Sequence, residues 1–238
     1  VDTNKVLSVT EKDTDPIRSQ YTLSFNTTIN LLKYHNMKEI EKILKSNFGY
    51  FVKKRKSEQV RIMASFNNQL KRLRKLECID DNNRILEKGD FMSHIYANEV
   101  LMTELVYSGL MKQLTDIQLL IVFAAIAYEG KKSDHFTFKG VENEYSKIIR
   151  IISQDKLIDK ELNKLSIKRM IAIIKTWASG GEFNELMEMS NLLEGDYIRL
   201  FRQIIDRIQQ IIKAGVDGEL EERLYNCINL IDRGVVRV

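Results

Sequence analysis

Apolar residues recur along most of this chain at helical spacing. Over residues 17–32, Tyr21, Phe25, Ile29 and Leu32 predict a helix with those four side chains inward. Residues 38–51 predict a second helix, with Ile40, Ile43, Leu44 and Phe48 inward, and residues 60–76 a third, carrying Ile62, Phe66, Leu70 and Leu73. The pattern then breaks. Residues 79–86 place short apolar-ended runs around Asp80, Asp81, Asn82 and Asn83, which predicts a β-hairpin. Three helices and a hairpin follow one another in the order of a winged helix. Beyond Gly89 the helical period returns and persists, over 99–110, from the Thr115-Asp116 cap onward, and over 141–152, 167–178 and 220–232. Residues 119–128 are apolar throughout, so their helix is expected at the centre of a bundle. Gly180 and Gly181 stop the helix that turns Met170, Ile171, Ile174 and Trp177 inward. Upstream, residues 1–13 are polar with a strand-like piece at 5–9, and Asp15-Pro16 forms a boundary.

The segment 183–213 is the most informative. Phe183, Leu186 and Met187 predict a short helix, and Leu193-Glu194-Gly195-Asp196 reads as a turn with Asp196 as the next N-cap. In the long helix over 196–213, Ile198, Phe201, Ile204, Ile205, Ile208, Ile211 and Ile212 make one broad apolar side. Arg199, Arg202, Gln203, Asp206, Gln210 and Lys213 fall at the complementary spacing and form a polar, mostly basic ridge. Such a row can follow a phosphate backbone and bond sugars or bases. It equally describes a solvated face, with Arg202 and Asp206 at ion-pair spacing.

Composition narrows the class. With 238 residues, 44% hydrophobic and 29% charged, the chain can bury a sizeable core in one or two domains, and one proline among eleven glycines argues against a loop-rich β fold. The expected fold class is mostly α. The longest apolar run falls well short of the about 20 residues of a membrane span, and no secretory leader is evident, so a cytoplasmic protein with no membrane partner is expected. Cys78 and Cys227 offer no disulfide framework, and His35, His94 and His135 show no metal-ligand spacing; no metal site is expected. A net charge of +4 permits a nucleic-acid partner without requiring one. Catalytic motifs are missing. Gly130-Lys131-Lys132-Ser133 lacks the upstream glycine and buried strand of a phosphate-binding loop, and reads as a surface loop. No nucleophile elbow or dinucleotide fingerprint is present, so no catalytic residue is assigned.

Several separate motifs carry a family resemblance. The stretch SQYTLSFNTTINLL at 19–32 resembles the helix that follows the second RecA domain in the superkiller/exosome-associated DExH-box RNA helicases. LECID at 76–80 with LEKG at 86–89 resembles their wing. LMTEL at 101–105, Gly109 and LTDIQ at 114–118 are similar to the start of their C-terminal helical bundle, the DSHCT domain. WASG at 177–180 with Phe183, EGDYIR at 194–199 and DRGVV at 232–236 resemble its later motifs and its terminus. Nearly the whole chain is covered in order.

The resemblance implies a C-terminal region of an ATP-dependent RNA helicase that moves 3′ to 5′ on single-stranded RNA. Residues 1–14 would be a linker from an upstream motor domain, 15–90 a winged-helix-like domain, and 91–238 a DSHCT-type helical bundle. The family's ratchet helix maps onto 196–213, and its RNA-facing positions onto Arg199, Arg202, Gln203 and Asp206. ATP and Mg would belong to RecA-like motor domains of the parent protein, with no cofactor in this stretch. Single-stranded RNA, those motor domains and a ribonuclease complex are the implied partners. Two departures stand out. The RecA-like motifs are absent, and the family's long arch insertion shrinks to a few residues around 53–58, lost naturally or deleted. Ile95-Tyr96, Tyr128-Glu129 and Arg202-Gln203-Ile204-Ile205-Asp206 look more like bacterial members than eukaryotic ones. A DNA-binding winged helix and a protein-interaction scaffold remain the alternative classes.

Overall fold

The computed structural model describes residues 23–46 and 56–237. The strand-like piece at 5–9, the Asp15-Pro16 boundary and the ends of the first two predicted helices lie outside the described residues, as does the start of the short segment at 53–58. Twelve α-helices are present among the described residues, with two short 3₁₀ turns, and none is long and apolar enough to cross a membrane. The expectation of a mostly α fold holds.

Helix α1 (Phe25–Tyr34) starts where the Ser24 hydroxyl accepts from the Thr27 amide at 3.0 Å. Helix α2 (Met37–Lys45) starts on a capping box between Asn36 and Glu39. With α3 (Lys56–Lys75), these helices enclose a small core of Ile29, Ile40, Leu44, Phe66, Leu70, Leu73, Cys78, Ile79 and Met92. The predicted hairpin contracts to a single antiparallel bridge, Ile79 to Ile85. Asn83 turns the chain at φ 63°, the Arg74 guanidinium donates to its side chain at 2.6 Å, and Arg84 donates its amide to the Asp80 carboxylate at 2.7 Å. One residue after the bridge, Leu86 is already the N-cap of α4 (Glu87–Ser93), so no ladder can extend. Gly89 lies inside α4 and is buried against the bridge: a Cβ there would fall 2.1 Å from the Cys78 carbonyl oxygen.

Helix α4 belongs to both cores. Met92 faces the small one, and Phe91 belongs to the larger one that fills the remainder of the protein. That core is organised around α6 (Asp116–Ala127), which follows α5 (Glu99–Tyr107) and the 3₁₀ turn Leu110–Gln113. Thr115 and Gln118 cap α6 reciprocally, and every residue from 118 to 127 is buried. A helix apolar on all sides has only the interior to occupy. Around it lie α9 (Lys164–Ala178), α11 (Glu194–Ala214) and α12 (Gly218–Ile231), with α7 (Glu142–Ile152), α8 (Lys156–Glu161) and α10 (Phe183–Met187) filling the flanks.

Trp177 is the joint of this bundle. Its ring stacks on Phe201 of α11 at 5.4 Å and meets Phe183 of α10 edge-on at 5.9 Å, while its indole N–H donates to the Ile231 carbonyl of α12 at 2.9 Å. The Tyr197 hydroxyl, nearby on α11, donates to the Leu186 carbonyl at 2.6 Å. These contacts fix the rotation of α11 about its own axis and so decide which residues face outward.

Candidate nucleic-acid interface

Helix α11 begins two residues earlier than its sequence implies. Leu193 is the N-cap, and Asp196 lies in the first turn, where its carboxylate accepts from the Leu193 amide at 3.4 Å. Asp196 and Glu194 both stabilise the positive end of the helix without capping it. Gly215, at φ 95°, stops the helix one residue past Ala214.

The buried stripe runs through Tyr197, Leu200, Phe201, Ile204, Arg207, Ile208 and Ile211. Ile198, Ile205 and Ile212, expected inward, lie one position round and are half-buried at its rim. The opposite face carries Arg199, Arg202 and Asp206, all exposed, with Gln203 half-buried between them. These four, with Gly195 and Ile198, line one open strip of surface along the helix, so all four sequence-predicted positions share a face.

Their local partners differ from the expected ones. Arg199 pairs with Asp196 at 3.4 Å, and Arg202 donates from Nε to the Val236 carbonyl at 3.4 Å, not to Asp206. Asp206 instead accepts from the Gln210 amide at 2.7 Å. The Arg199 side chain keeps 59% of its surface in solvent, so its pairing with Asp196 is a loose one that a competing anion can displace. Two exposed guanidinium groups, an amide and a carboxylate in one row can bond phosphate oxygens, hydroxyls and base edges together.

A loop walls the N-terminal half of this row. Tyr128, Glu129, Lys131 and Asp134 share a narrow crevice with Arg199 and Gln203. The Tyr128 hydroxyl donates to Asp134 at 2.6 Å, and Lys131 donates its amide to the same oxygen at 2.8 Å. These bonds, the Tyr128 one first, hold the Asp134 carboxyl below the ordinary range; burial, followed by the bond to Asp134, pushes the Tyr128 phenol up. Asn191 clamps the loop to the turn before α11: its side chain accepts from the His135 amide at 2.7 Å and donates to the Ser133 carbonyl at 2.9 Å. The segment that reads as a plain surface loop in sequence is therefore held in place beside the ridge.

Two residues near the ridge carry no signal in the sequence pattern. Arg207 is only 7% exposed; it bonds the Gln203 carbonyl at 3.1 Å and the Asn98 side chain at 3.4 Å, and its Nε has no partner. Burial lowers its affinity for the proton. Tyr96, 70% exposed, donates its amide to Gln210 at 2.9 Å. Tyr96 belongs to no periodic element, and only the fold brings it to α11. Among the described residues no three His, Cys, Asp or Glu side chains cluster as a metal site would require.

The chain that carries this helix is similar to known proteins. The DSHCT (NUC185) domain model matches residues 82–238, and the chain belongs to that family. Similar curated proteins include the ATP-dependent RNA helicase mtr4 of Schizosaccharomyces pombe, 23% identical over 76% of this chain and 18% of its own length. The antiviral helicase SKI2 of Saccharomyces cerevisiae is 24% identical over 75% of this chain and 15% of its own length. A probable helicase, HelY of Mycobacterium leprae, is 22% identical over 66% and 19% respectively. The chain thus spans less than a fifth of the length of each of these relatives.

Proposed function

We propose that this chain is the C-terminal accessory region of an ATP-dependent RNA helicase and guides single-stranded RNA along α11 while motor domains elsewhere in the parent protein consume ATP. The observation that carries this reading is the open strip in which Arg199, Arg202, Gln203 and Asp206 lie side by side on the face of α11 opposite its buried stripe. Arg199 and Arg202 would pair with phosphates; Gln203 and Asp206 would bond 2′-hydroxyls or base edges. Membership of the DSHCT family and kinship with proteins named as RNA helicases support the choice of RNA over duplex DNA. In the parent, residues 15–90 would act as a winged-helix-like module joined through α4 to a bundle over 91–238. ATP and Mg would be held by RecA-like motor domains, and a ribonuclease complex would receive the RNA.

The test is a salt series. Arg199→Ala with Arg202→Ala should weaken single-stranded RNA binding and flatten the dependence on log salt by roughly one unit or less for each phosphate that is no longer neutralised. Folding should be unaffected, because both side chains are exposed. A double variant that binds RNA like the parent chain at matched ionic strength would remove the assignment. Tighter binding of duplex DNA than of single-stranded RNA would replace it with a DNA-binding module.

A further inference from the structure

Tyr96 combines a fixed backbone with a ring left in solvent. The connector between α4 and α5 is pinned on both sides of it. Upstream, the Asn26 side chain donates to the carbonyls of Ser93 at 2.6 Å and Ile95 at 3.1 Å, and the Ile95 side chain is fully buried in the larger core. Downstream, Asn98 adopts the left-handed conformation at φ 53° and accepts from buried Arg207 of α11 at 3.4 Å. Tyr96 itself donates its amide to Gln210, whose amide in turn donates to Asp206 of the ridge at 2.7 Å. The Tyr96 residue is nonetheless 70% exposed.

We propose that Tyr96 is a stacking platform for a nucleobase of the single-stranded RNA that follows α11, a role that rests on the reading of the ridge given above. A stacking platform needs a π face open to solvent and a backbone that does not have to be ordered when the base arrives. Tyr96 has both, and Gln210 ties it to the ridge. Tyr34 is as exposed as Tyr96 but belongs to α1, beside the small core, and supplies the control. Gln210 lies eleven residues beyond Arg199 on one helix, a rise of about 16 Å. The stacked base therefore belongs to a different nucleotide from the phosphate paired with Arg199. Stacking releases no counterion, so the platform adds affinity for bases while leaving the salt dependence to the arginines.

The experiment compares a short oligoadenylate with an abasic ribose-phosphate strand of the same length, using the intact chain. Tyr96→Ala and Tyr96→Leu should each weaken oligoadenylate binding by about 5- to 150-fold at unchanged salt slope, and Tyr96→Phe should bind like the parent chain. None should change the affinity for the abasic strand, and Tyr34→Ala should change neither. Thermal unfolding of each variant checks that the fold is kept. Parent-like oligoadenylate binding by Tyr96→Ala, alongside weakened binding by the Arg199/Arg202 double variant, overturns the platform and leaves the ridge standing. An equal loss for Tyr34→Ala, or an equal loss on the abasic strand, overturns it as well. If the parent chain binds neither strand, or the arginine variant binds both unchanged, the ridge reading falls and takes the platform with it.

Discussion

The Arg233 guanidinium lies 3.6 Å from the centroid of the Trp177 ring and donates through Nε and Nη2 to the carbonyl of that same residue, with Nη2 also reaching the Gly181 carbonyl at 2.6 Å. A flat cation thus closes the end of α9 and ties the C-terminal turn to the aromatic cluster that orients α11. Arg233→Ala should cost about 2–3 kcal/mol in chemical denaturation, because it removes charged hydrogen bonds together with the cation's packing on the ring. Arg233→Lys should restore less than half of that, because an ammonium cannot stack flat and bond two carbonyls together.

Gly89→Ala tests the close approach of α4 to the Ile79–Ile85 bridge. Helix propensity alone would make the substitution stabilising by about 0.5–1 kcal/mol. With Cβ 2.1 Å from the Cys78 carbonyl oxygen, backbone must move, and a net loss of about 2 kcal/mol or more is expected from an unfolding curve. Net stabilisation would mean that α4 can shift freely.

The two thiols are buried, and burial pushes Cys78 up to about 11 and Cys227 up to about 12. In the unfolded chain a thiol ionises near 8.5. Below that pH both states hold the proton and stability is unaffected. Above it the unfolded state loses protons that the native state keeps, so stability should fall as pH rises from about 8.5 toward 11 and 12. Replacing both cysteines by Ala should flatten this alkaline decline in a pH series of melts. In the native protein at pH 8, thiol-reactive probes should label both slowly.

Arg207 gives a prediction of opposite sign to the ridge arginines. It is buried, its Nε is unpartnered, and the side-chain group it reaches is a neutral amide, Asn98. Arg207→Met removes the desolvated charge while keeping much of the volume, so stability should change by less than about 1 kcal/mol or improve. The salt slope should stay as it is, because Arg207 is buried and meets no phosphate. A flatter salt slope in a folded Arg207→Met protein would show that the charge count of the interface extends beneath the surface.

Asn191→Ala should release the loop beside Arg199. The His135 amide, which donates to the Asn191 side chain, should exchange its hydrogen faster, while global unfolding moves by no more than about 1–2 kcal/mol.

The sequence discloses what repeats and conceals what converges. The unbroken apolar run at 119–128 announces a central helix, and the spacing of Arg199, Arg202, Gln203 and Asp206 announces a shared face; both are local periodicities of one helix. Asp196 has the look of a cap because Leu193, the residue that starts the helix, has no side-chain acceptor, and Asp196 serves from inside the first turn by accepting the Leu193 amide. Helix α8 is hidden because six residues cannot display a period, although Asp155 caps it through the amides of Leu157 and Ile158. Arg207 falls within the buried stripe of α11, and the residue that receives it is far away in sequence. The same holds for Tyr96 and Gln210: a one-dimensional pattern carries no trace of a bond made across two elements.

Adjacent residues of α4 serve different cores, Met92 the smaller and Phe91 the larger, and the pinned connector that follows grips α11 through Tyr96. A cut at 90/91 therefore passes through the middle of a helix and would expose apolar surface on both sides. The two cores therefore share one helix, and the segment leaving that helix is bonded to the helix that carries the outward row, so neither core can be removed without stripping contacts from the other.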